Sequence, residues 1–557
     1  DEAVRKAEYE CKPAVELYPK AGFSKSMREL AKLLVGLDAK KLKVPEPLTD
    51  EDFHRLSRRG FEGKRMPPPV PVHAPTGTPS GKARIAAKEL KLEQPDDRLE
   101  RALALWAKSA PGGGGWVDGP HAMQWGEKDQ WRSFFCDLEA WRNIDQQSYL
   151  DSPIVNVTHE DLECHYSTPY FDDGLMSWGN YTWSARWPVA KRRTTDYVAL
   201  TTDIREADVV GGGKAKLDAA MEQALKQTEG KAAILVTTTC VPTVIGDDTV
   251  GILEKYRGRS KVPLLLANAA AGFYENPIIS LFRGIKKRAE FKQARPRSRT
   301  VNLVGFPPGR ALEELERLLG QAGVHVNLRM LPRFSVEEAD RFLAAEAHVF
   351  YPDPAYAELY EKLFSDLELK RLSPVAPYGL ENTRRWVMEV ARSLAAEESA
   401  KEMWSRESKR VAGPWELLRA RVKGKRVAFI ADPARVKRLA DPGGLSGVPL
   451  VSMLKEMGFG IDYLIYAEQK PELPKEKGKH SVSWFTSKEE LNDLITHGAF
   501  DAVYTEYFFD TRVTRAGKVP FSLLDAEMGT GGCLRSLDRL ARLCDWKSYR
   551  RYLYPVS

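Results

Sequence analysis

The stretch TVNLVGFPPGRALEELERLLGQAGVHVNLRML, residues 300–331, determines the fold class of this chain. A short apolar run at 300–306 is followed by a helical pattern at 311–323, and a second apolar run begins at residue 324. Leu312, Leu315, Leu318 and Leu319 share one face of the predicted helix, and Gly323 is a typical stop. Strand, helix and strand in this order predict a βαβ unit, and therefore a parallel sheet.

The same alternation extends in both directions along the chain. Downstream predicted strands are AHVFYPD (347–353), SPVAPYG (373–379), RVAFIADP (426–433), IDYLIYAE (461–468), DAVYTEYF (501–508) and VPFSLLDAE (519–527). Upstream ones are DYVALTTD (196–203), AAILVTTTC (232–240) and VPLLLANAA (262–270). The pattern predicts an α/β protein with three Rossmann-like, doubly wound parallel-sheet domains. Such sheets bind ligands at the carboxyl ends of their strands, where Cys240 is expected.

The boundaries of these domains follow from the pattern and from composition. The proline-rich stretch at 64–82 has no apolar core of its own, and it predicts either a solvated linker or an arm that lies over a partner subunit. The predicted segments are an N-terminal part with Cys11 (1–37), the proline-rich insertion or arm (38–104), and the first (105–297), second (298–405) and third (406–557) Rossmann-like domains with long insertions.

Composition excludes several functional classes. The net charge of +7, from 84 basic and 77 acidic residues, is mild for 557 residues and predicts no nucleic-acid partner. No apolar run reaches about 18 residues, so we expect no membrane-spanning helix. The start, DEAVRKAEYE, carries charge where a secretory signal is apolar, which predicts a cytoplasmic protein.

The six cysteines contain no CxxC pair, so any metal site must combine distant parts of the chain or be shared with a second chain. Cys240 lies in VTTTCVPTVIGDD (236–248), just past an apolar run. A cysteine at this position is either a buried structural thiol or a metal ligand.

Three stretches resemble the nitrogenase component 1 family. VTTTCVPTVIGDD is similar to the family's Ser-Thr-Thr-Cys segment and its following Ile-Gly-Asp-Asp. In TDIREADVVGGGKAKL (202–217), residues Glu206, Asp208, Gly212, Gly213 and Leu217 match a family segment at the docking surface of the iron protein, although Gly211 replaces its phenylalanine. CKPAVELYPKAGFSKSM (11–27) is similar to the start of the β-type subunit.

The resemblance implies an iron–sulfur cluster, of unknown type, at a subunit interface. It implies that Cys240 and Cys11 are metal ligands and that the chain is a divergent β-type subunit. The family's third ligand belongs to a His-Gly-x-x-Gly-Cys turn, for which the nearest match is WVDGPHAMQW (116–125), with Met123 in place of the cysteine. A thioether is a poorer ligand than a thiolate. Cys136 or Cys164 can supply the missing thiolate, and we slightly favour Cys136.

The implied function is that of a β-like subunit of a nitrogenase-like, ATP-dependent oxidoreductase. An iron protein would donate low-potential electrons through the interface cluster to an active site in a paired α-like subunit, within an α2β2 heterotetramer. No cysteine lies between Cys240 and Cys533, so the family's substrate-reducing cofactor is expected in the partner and no catalytic residue is assigned in this chain. The alternatives are a scaffold subunit for cluster assembly and a structural subunit that has lost its cluster.

Overall fold

A computed structural model describes residues 90, 92, 97–109, 149–161, 198–268, 277–467, 480–505 and 511–546. These residues belong to one compact unit that spans 85–557. Most of 38–104 lies outside the described residues, and so do Cys11, Met123, Cys136 and Cys164.

The first sheet has four parallel strands in the order β3-β2-β4-β5. Its strands are β2 (Ile154–His159), β3 (Val198–Thr201), β4 (Ala233–Thr238) and β5 (Leu264–Asn268). The intervening helices are α2 (Glu206–Gly211), α3 (Lys214–Leu225), α4 (Cys240–Val244) and α5 (Thr249–Arg257). Parallel pairing aligns the carboxyl ends of all four strands at one edge.

The second sheet also has four parallel strands, in the order β10-β9-β6-β7. Its strands are β6 (Arg297–Val304), β7 (His325–Met330), β9 (Ala345–Phe350) and β10 (Arg371–Leu372). The short strands β1 (Tyr149–Leu150) and β8 (Arg333–Phe334) pair separately. Associated helices are α6 (Pro277–Ile285), α7 (Ala289–Gln293), α8 (Arg310–Gln321), α9 (Val336–Ala339), α10 (Ala357–Phe364), α11 (Leu380–Ser393) and α12 (Glu397–Arg421), and α1 (Arg98–Ser109) precedes all of these elements.

The third sheet has five parallel strands in the order β13-β12-β11-β14-β15. Its strands are β11 (Arg426–Ala431), β12 (Gly460–Tyr466), β13 (His480–Phe485), β14 (Ala502–Tyr504) and β15 (Val519–Phe521). Its helices are α13 (Pro433–Ala440), α14 (Leu450–Met457), α15 (Lys488–His497), α16 (Thr511–Arg515) and α17 (Gly529–Asp545).

The strands bury side chains on both faces, as the doubly wound prediction requires. In β11, Val427 and Phe429 enter one hydrophobic cluster, whereas Ala428 and Ile430 enter another. The leucines of α8 that the sequence places on one face are all buried. Because successive side chains of a strand point to opposite faces, both faces of this sheet are covered by packed elements. The α/β class with parallel sheets is therefore confirmed.

Two parts of the fold differ from the sequence prediction. SPVAPYG (373–379) forms no strand, because pairing with β9 ends at Leu372, just before this proline-containing segment. The sequence analysis misses β13 and the central strand β2, each of six residues, and the two-residue strands β1, β8 and β10. Strand β2 carries buried polar residues at Asn156, Thr158 and His159, so it does not appear as an apolar run. Within the described ranges, no helix is long and apolar enough to cross a membrane.

Candidate functional site

The candidate site lies at the carboxyl edge of the first sheet, where β2 and β4 end side by side. His159 is the register partner of Thr238, and the Thr239 amide donates to the His159 carbonyl oxygen at 3.1 Å. The next residue, Cys240, starts α4. The edge therefore presents the segment that follows β4 directly beside the end of β2, as the rule for parallel sheets predicts.

Cys240 is exposed at this edge. Thr239 is the N-terminal flanking residue of α4, and its carbonyl oxygen accepts a hydrogen bond from the Thr243 hydroxyl at 2.9 Å. An exposed thiol at the end of a buried strand contributes little to the core. Of the two alternatives raised by the sequence, a thiol buried within this chain does not fit this exposure, and the metal ligand stays a prediction.

The Gly-Asp-Asp turn after α4 connects the Cys240 segment to its surroundings. Gly246 has a φ of 75°, a left-handed conformation that glycine adopts without steric cost. Asp248 caps α5, because its carboxylate accepts from the Gly251 amide at 2.9 Å. Asp247 instead points back to the sheet edge and accepts from the Gly213 amide at 2.9 Å. Each residue of the turn thus has a separate structural role.

The second family-like segment forms the other side of the site. Asp208, in the first turn of α2, accepts from the Arg205 amide at 2.8 Å. Gly212 follows the end of α2 with a φ of 88°, and Gly213 is the N-terminal flanking residue of α3. Leu217 anchors α3 in the core with no exposed surface. These residues place the Gly212–Gly213 turn against Asp247.

His159 is a residue of the site that the sequence analysis did not identify. Its side chain is fully buried, with Nε2 3.0 Å from Asp247 Oδ2 and Nδ1 3.0 Å from Thr202 Oγ1. Burial lowers the pKa of His159, against the opposing hydrogen bond and charge of Asp247. A neutral ring fits these partners, since Nε2–H donates to the carboxylate and Nδ1 accepts from the hydroxyl. With both nitrogens occupied, His159 is a structural link and not a metal ligand.

Exposed apolar side chains surround the site. Val210 is 91% exposed at the end of α2, and Val244 is 84% exposed at the end of α4. Val209 and Val250 are also exposed. These valines lie on the two segments joined by Asp247 and on the following helix, and exposed apolar residues of this kind are candidates for contact with another protein.

The donors present fit one ligand position of an iron–sulfur cluster. Cys240 is an exposed thiol at a strand end, which suits a thiolate ligand. Among the described residues, no three His, Cys, Asp or Glu side chains are grouped so that they could hold a metal ion. Cys533 and Cys544 are buried in α17, and burial raises the pKa of both thiols, that of Cys544 to about 12. A complete ligand set therefore requires residues outside the described ranges or a second chain.

Comparison with known proteins agrees with the fold described above. The family model described as nitrogenase component 1 type oxidoreductase matches residues 178–542. A solved structure of nitrogenase Cp1 at pH 5 superposes with a TM-score of 0.52 and 15% identity, over 73% of this chain and 88% of that chain. This likeness concerns the fold.

The curated relatives align with smaller parts of this chain than the solved structure does. The nitrogenase iron-molybdenum cofactor biosynthesis protein NifE of Clostridium pasteurianum is 24% identical over 51% of this chain and 61% of its own length. NifE of Methanosarcina barkeri is 23% identical over 52% of this chain and 66% of its own length. A light-independent protochlorophyllide reductase subunit of Gloeobacter violaceus is 25% identical over 36% of this chain and 42% of its own length. The chain thus spans less than two thirds of the length of these relatives.

The family match covers more than half of the residues of this chain. The chain therefore belongs to the nitrogenase component 1 type oxidoreductase family.

Proposed function

We propose that this chain is a subunit of a nitrogenase-like assembly and that Cys240 binds an iron–sulfur cluster at an interface with a paired subunit. The observation that carries the proposal is the exposed thiol at the carboxyl edge of the first sheet. The family-like residues around it hold that thiol in a defined turn. A thiolate presented in this way can bind a cluster without rearrangement of the main chain.

Strand β2 suggests the second ligand. Counting from His159, the sequence reads His-Glu-Asp-Leu-Glu-Cys, so Cys164 has the same spacing from a histidine as the cysteine of the family's His-Gly-x-x-Gly-Cys turn. Cys164 follows Asp161 by three residues, so an extended chain could place the two residues up to roughly 10 Å apart. We therefore propose that 159–164, and not 116–125, is the counterpart of this turn. Cys164 thus replaces Cys136 as the preferred ligand, and Cys11 remains a proposed ligand.

The chain's own contribution is to position thiolates and to present a docking surface. A bound cluster would accept and donate electrons, and the protein would determine its ligation and its exposure to water. The exposed valines around Cys240 provide apolar contact area for the paired α-like subunit or for an ATP-dependent iron protein. This area lies on the segment where Gly211 replaces the family's phenylalanine. We propose an α2β2 assembly with this surface at its interfaces.

Two functions use such a site. In the first, which we favour, the chain relays low-potential electrons from the iron protein to an active site in the paired subunit, as a component of a reductase. The similarity to a protochlorophyllide reductase subunit supports this role. In the second, the chain is a scaffold for the biosynthesis of a metallocluster. The similarity to two cofactor biosynthesis proteins favours that role.

Iron content tests the cluster proposal. The chain would be purified anaerobically with its co-expressed partner, and iron and sulfide would be counted per heterodimer in the wild type and in the Cys240→Ala, Cys164→Ala and Cys136→Ala variants. We expect a substantial loss of iron in the first two variants and wild-type iron in the third. Unchanged iron in Cys240→Ala would contradict the proposal, and loss in Cys136→Ala with retention in Cys164→Ala would reverse the ligand assignment.

A second measurement separates the reductase from the scaffold. The assembly would be mixed with iron protein, ATP and a reductant, and oxidation of the cluster would be followed by its visible absorption with and without candidate substrates. A reductase cycles repeatedly in the presence of substrate. A scaffold instead loses its metal stoichiometrically to a recipient protein that lacks its metallocluster.

A further inference from the structure

His159 holds both ends of the segment that carries Cys240. At the first end, its carbonyl oxygen accepts from the Thr239 amide at 3.1 Å and from the Thr239 hydroxyl at 3.3 Å. At the other end, its Nε2 lies 3.0 Å from Asp247 Oδ2. Residues 239–247 are therefore tied at both termini to one residue at the end of a buried central strand.

Asp247 extends this link to the segment with the exposed valines. Its two carboxylate oxygens lie 3.1 and 2.9 Å from the Gly213 amide nitrogen. Contact is tight, because a Cβ atom at Gly213 would lie 2.7 Å from Asp247, 2.9 Å from His159 and 2.9 Å from Ile204. Real Cβ contacts essentially never fall below 3.0 Å. An alanine side chain at Gly213 must therefore displace Asp247, His159 or Ile204.

We propose that His159 is a positioning residue for Cys240, and that it couples the thiol through Asp247 to the surface helix α2. Contact of a partner protein with Val209 and Val210 would act on α2, and the Gly213–Asp247–His159 chain would transmit the displacement to residues 239–247. The importance of this coupling for a cluster rests on the proposed function. The physical link itself does not, because it consists of contacts within this chain.

Two alanine substitutions provide a matched test. Gly213→Ala inserts a methyl group into the contact, whereas Gly211→Ala, two residues earlier, places its Cβ where no heavy atom lies within 4 Å. Iodoacetamide alkylation of Cys240 would be followed by peptide-resolved mass spectrometry in the iron-free full-length chain. We expect Gly213→Ala to change the alkylation rate of Cys240 by about fivefold, because displacement of residues 239–247 changes the surroundings of a thiol that is already exposed. Gly211→Ala should react at the wild-type rate.

Substitutions of the histidine test the same link from the other side. His159→Leu removes both ring nitrogens and should change the alkylation rate of Cys240 as Gly213→Ala does. His159→Gln keeps an amide N–H for Asp247 and should react within about twofold of the wild type. If His159→Leu does not fold, as judged by circular dichroism, the Gly213→Ala and Gly211→Ala pair decides alone. Equal rates in that pair would overturn the proposal.

A spectroscopic measurement distinguishes positioning from general stability. In the anaerobic assembly with its partner, Gly213→Ala should retain iron but shift the visible absorption of the cluster, while Gly211→Ala should leave the spectrum unchanged. Unchanged alkylation and an unchanged spectrum in Gly213→Ala would overturn the coupling even if Cys240→Ala loses iron. Conversely, an altered alkylation rate in Gly213→Ala, together with a wild-type assembly that contains no iron, would support the coupling and contradict the proposed cluster.

Discussion

At the scale of single residues, three cysteines of the same chain occupy contrasting environments. Cys240 is exposed at a sheet edge, whereas Cys533 and Cys544 are buried residues of α17. Only a thiol that can ionise and contact other molecules acts as a ligand or nucleophile. Exposure therefore separates the proposed ligand from two cysteines that contribute to packing.

Alkylation of the native chain should reproduce this division. Cys240 is expected to react with iodoacetamide, while Cys533 and Cys544 stay protected, because their burial both blocks the reagent and raises the pKa of the thiols. Peptide-resolved mass spectrometry at pH 8 measures all three. In urea the three cysteines should react alike, and protection of Cys240 in the native chain would contradict its assigned exposure.

At the scale of elements, helix α11 is capped by a residue from another part of the chain. Its N-terminal flanking residue, Gly379, offers no side chain, and the carboxylate of Glu456 from α14 accepts from the Leu380 and Glu381 amides at 2.9 and 2.8 Å. A carboxylate at this end complements the helix dipole. The contact joins α11 to a helix of the third sheet.

The Glu456 carboxylate predicts a pH dependence of stability. Burial raises its pKa from 4.5 to about 7, against the two backbone hydrogen bonds. The folded chain therefore binds more protons than the unfolded chain between these values, so this group lowers stability as pH rises from 4.5 to about 7. Glu456→Gln should remove this contribution. Urea unfolding midpoints from pH 4.5 to 8 would show a flatter profile in the variant, and identical profiles would contradict the assignment.

Two glycines provide a second prediction at this scale. Gly379 has a φ of 86°, and its Cβ would lie 2.3 Å from Glu456 Oε2, so Gly379→Ala should lower the unfolding midpoint. Gly320 lies inside α8 with no heavy atom within 4 Å of its Cβ. Gly320→Ala should stabilise the helix by up to about 1 kcal/mol. Thermal unfolding measures both, and a shift of the same sign in the two variants would count against this account.

At the scale of the whole molecule, an ion-pair network joins the second and third sheets. Glu527 contacts Arg310 from α8 and both Arg535 and Arg539 from α17, at N–O distances between 2.7 and 2.9 Å. Burial opposes ionisation of Glu527, but the three guanidinium groups outweigh it and lower its pKa to about 2. The network thus links a helix packed on one sheet to the last helix of the next.

Removal of this carboxylate should weaken the contact between the two sheets. Glu527→Gln removes the carboxylate that Arg310, Arg535 and Arg539 share, at a cost of about 3 kcal/mol in the free energy of unfolding. The stabilisation is complete above pH 4.5 and is lost as pH falls toward 2. Urea unfolding at pH 7 would measure the loss. The control is Glu358→Gln, whose carboxylate pairs with Lys362 on the surface of α10 and should leave the midpoint unchanged.

Much of the architecture could be predicted because the relevant signals are local. The leucine spacing of α8 and the apolar runs of β6, β11 and β12 are properties of adjacent residues, and these elements occur where the pattern predicts them. Strand β2 could not be found in this way. Polar residues such as Asn156 and Thr158 are typical of a loop in a sequence pattern. In the fold they are buried, and the Asn156 side-chain amide donates a hydrogen bond to the Thr158 hydroxyl.

The sequence by itself determined the α/β class, the family resemblance and the position of Cys240 directly after a strand. Periodicity and short motifs carry that information. Only the tertiary structure decided that Cys240 is exposed, that β2 ends beside it, and that His159 joins Thr202 to Asp247. These contacts connect residues 43 and 88 positions apart. No local pattern encodes such pairings, because they arise when parallel strands align their carboxyl ends at one edge of a sheet.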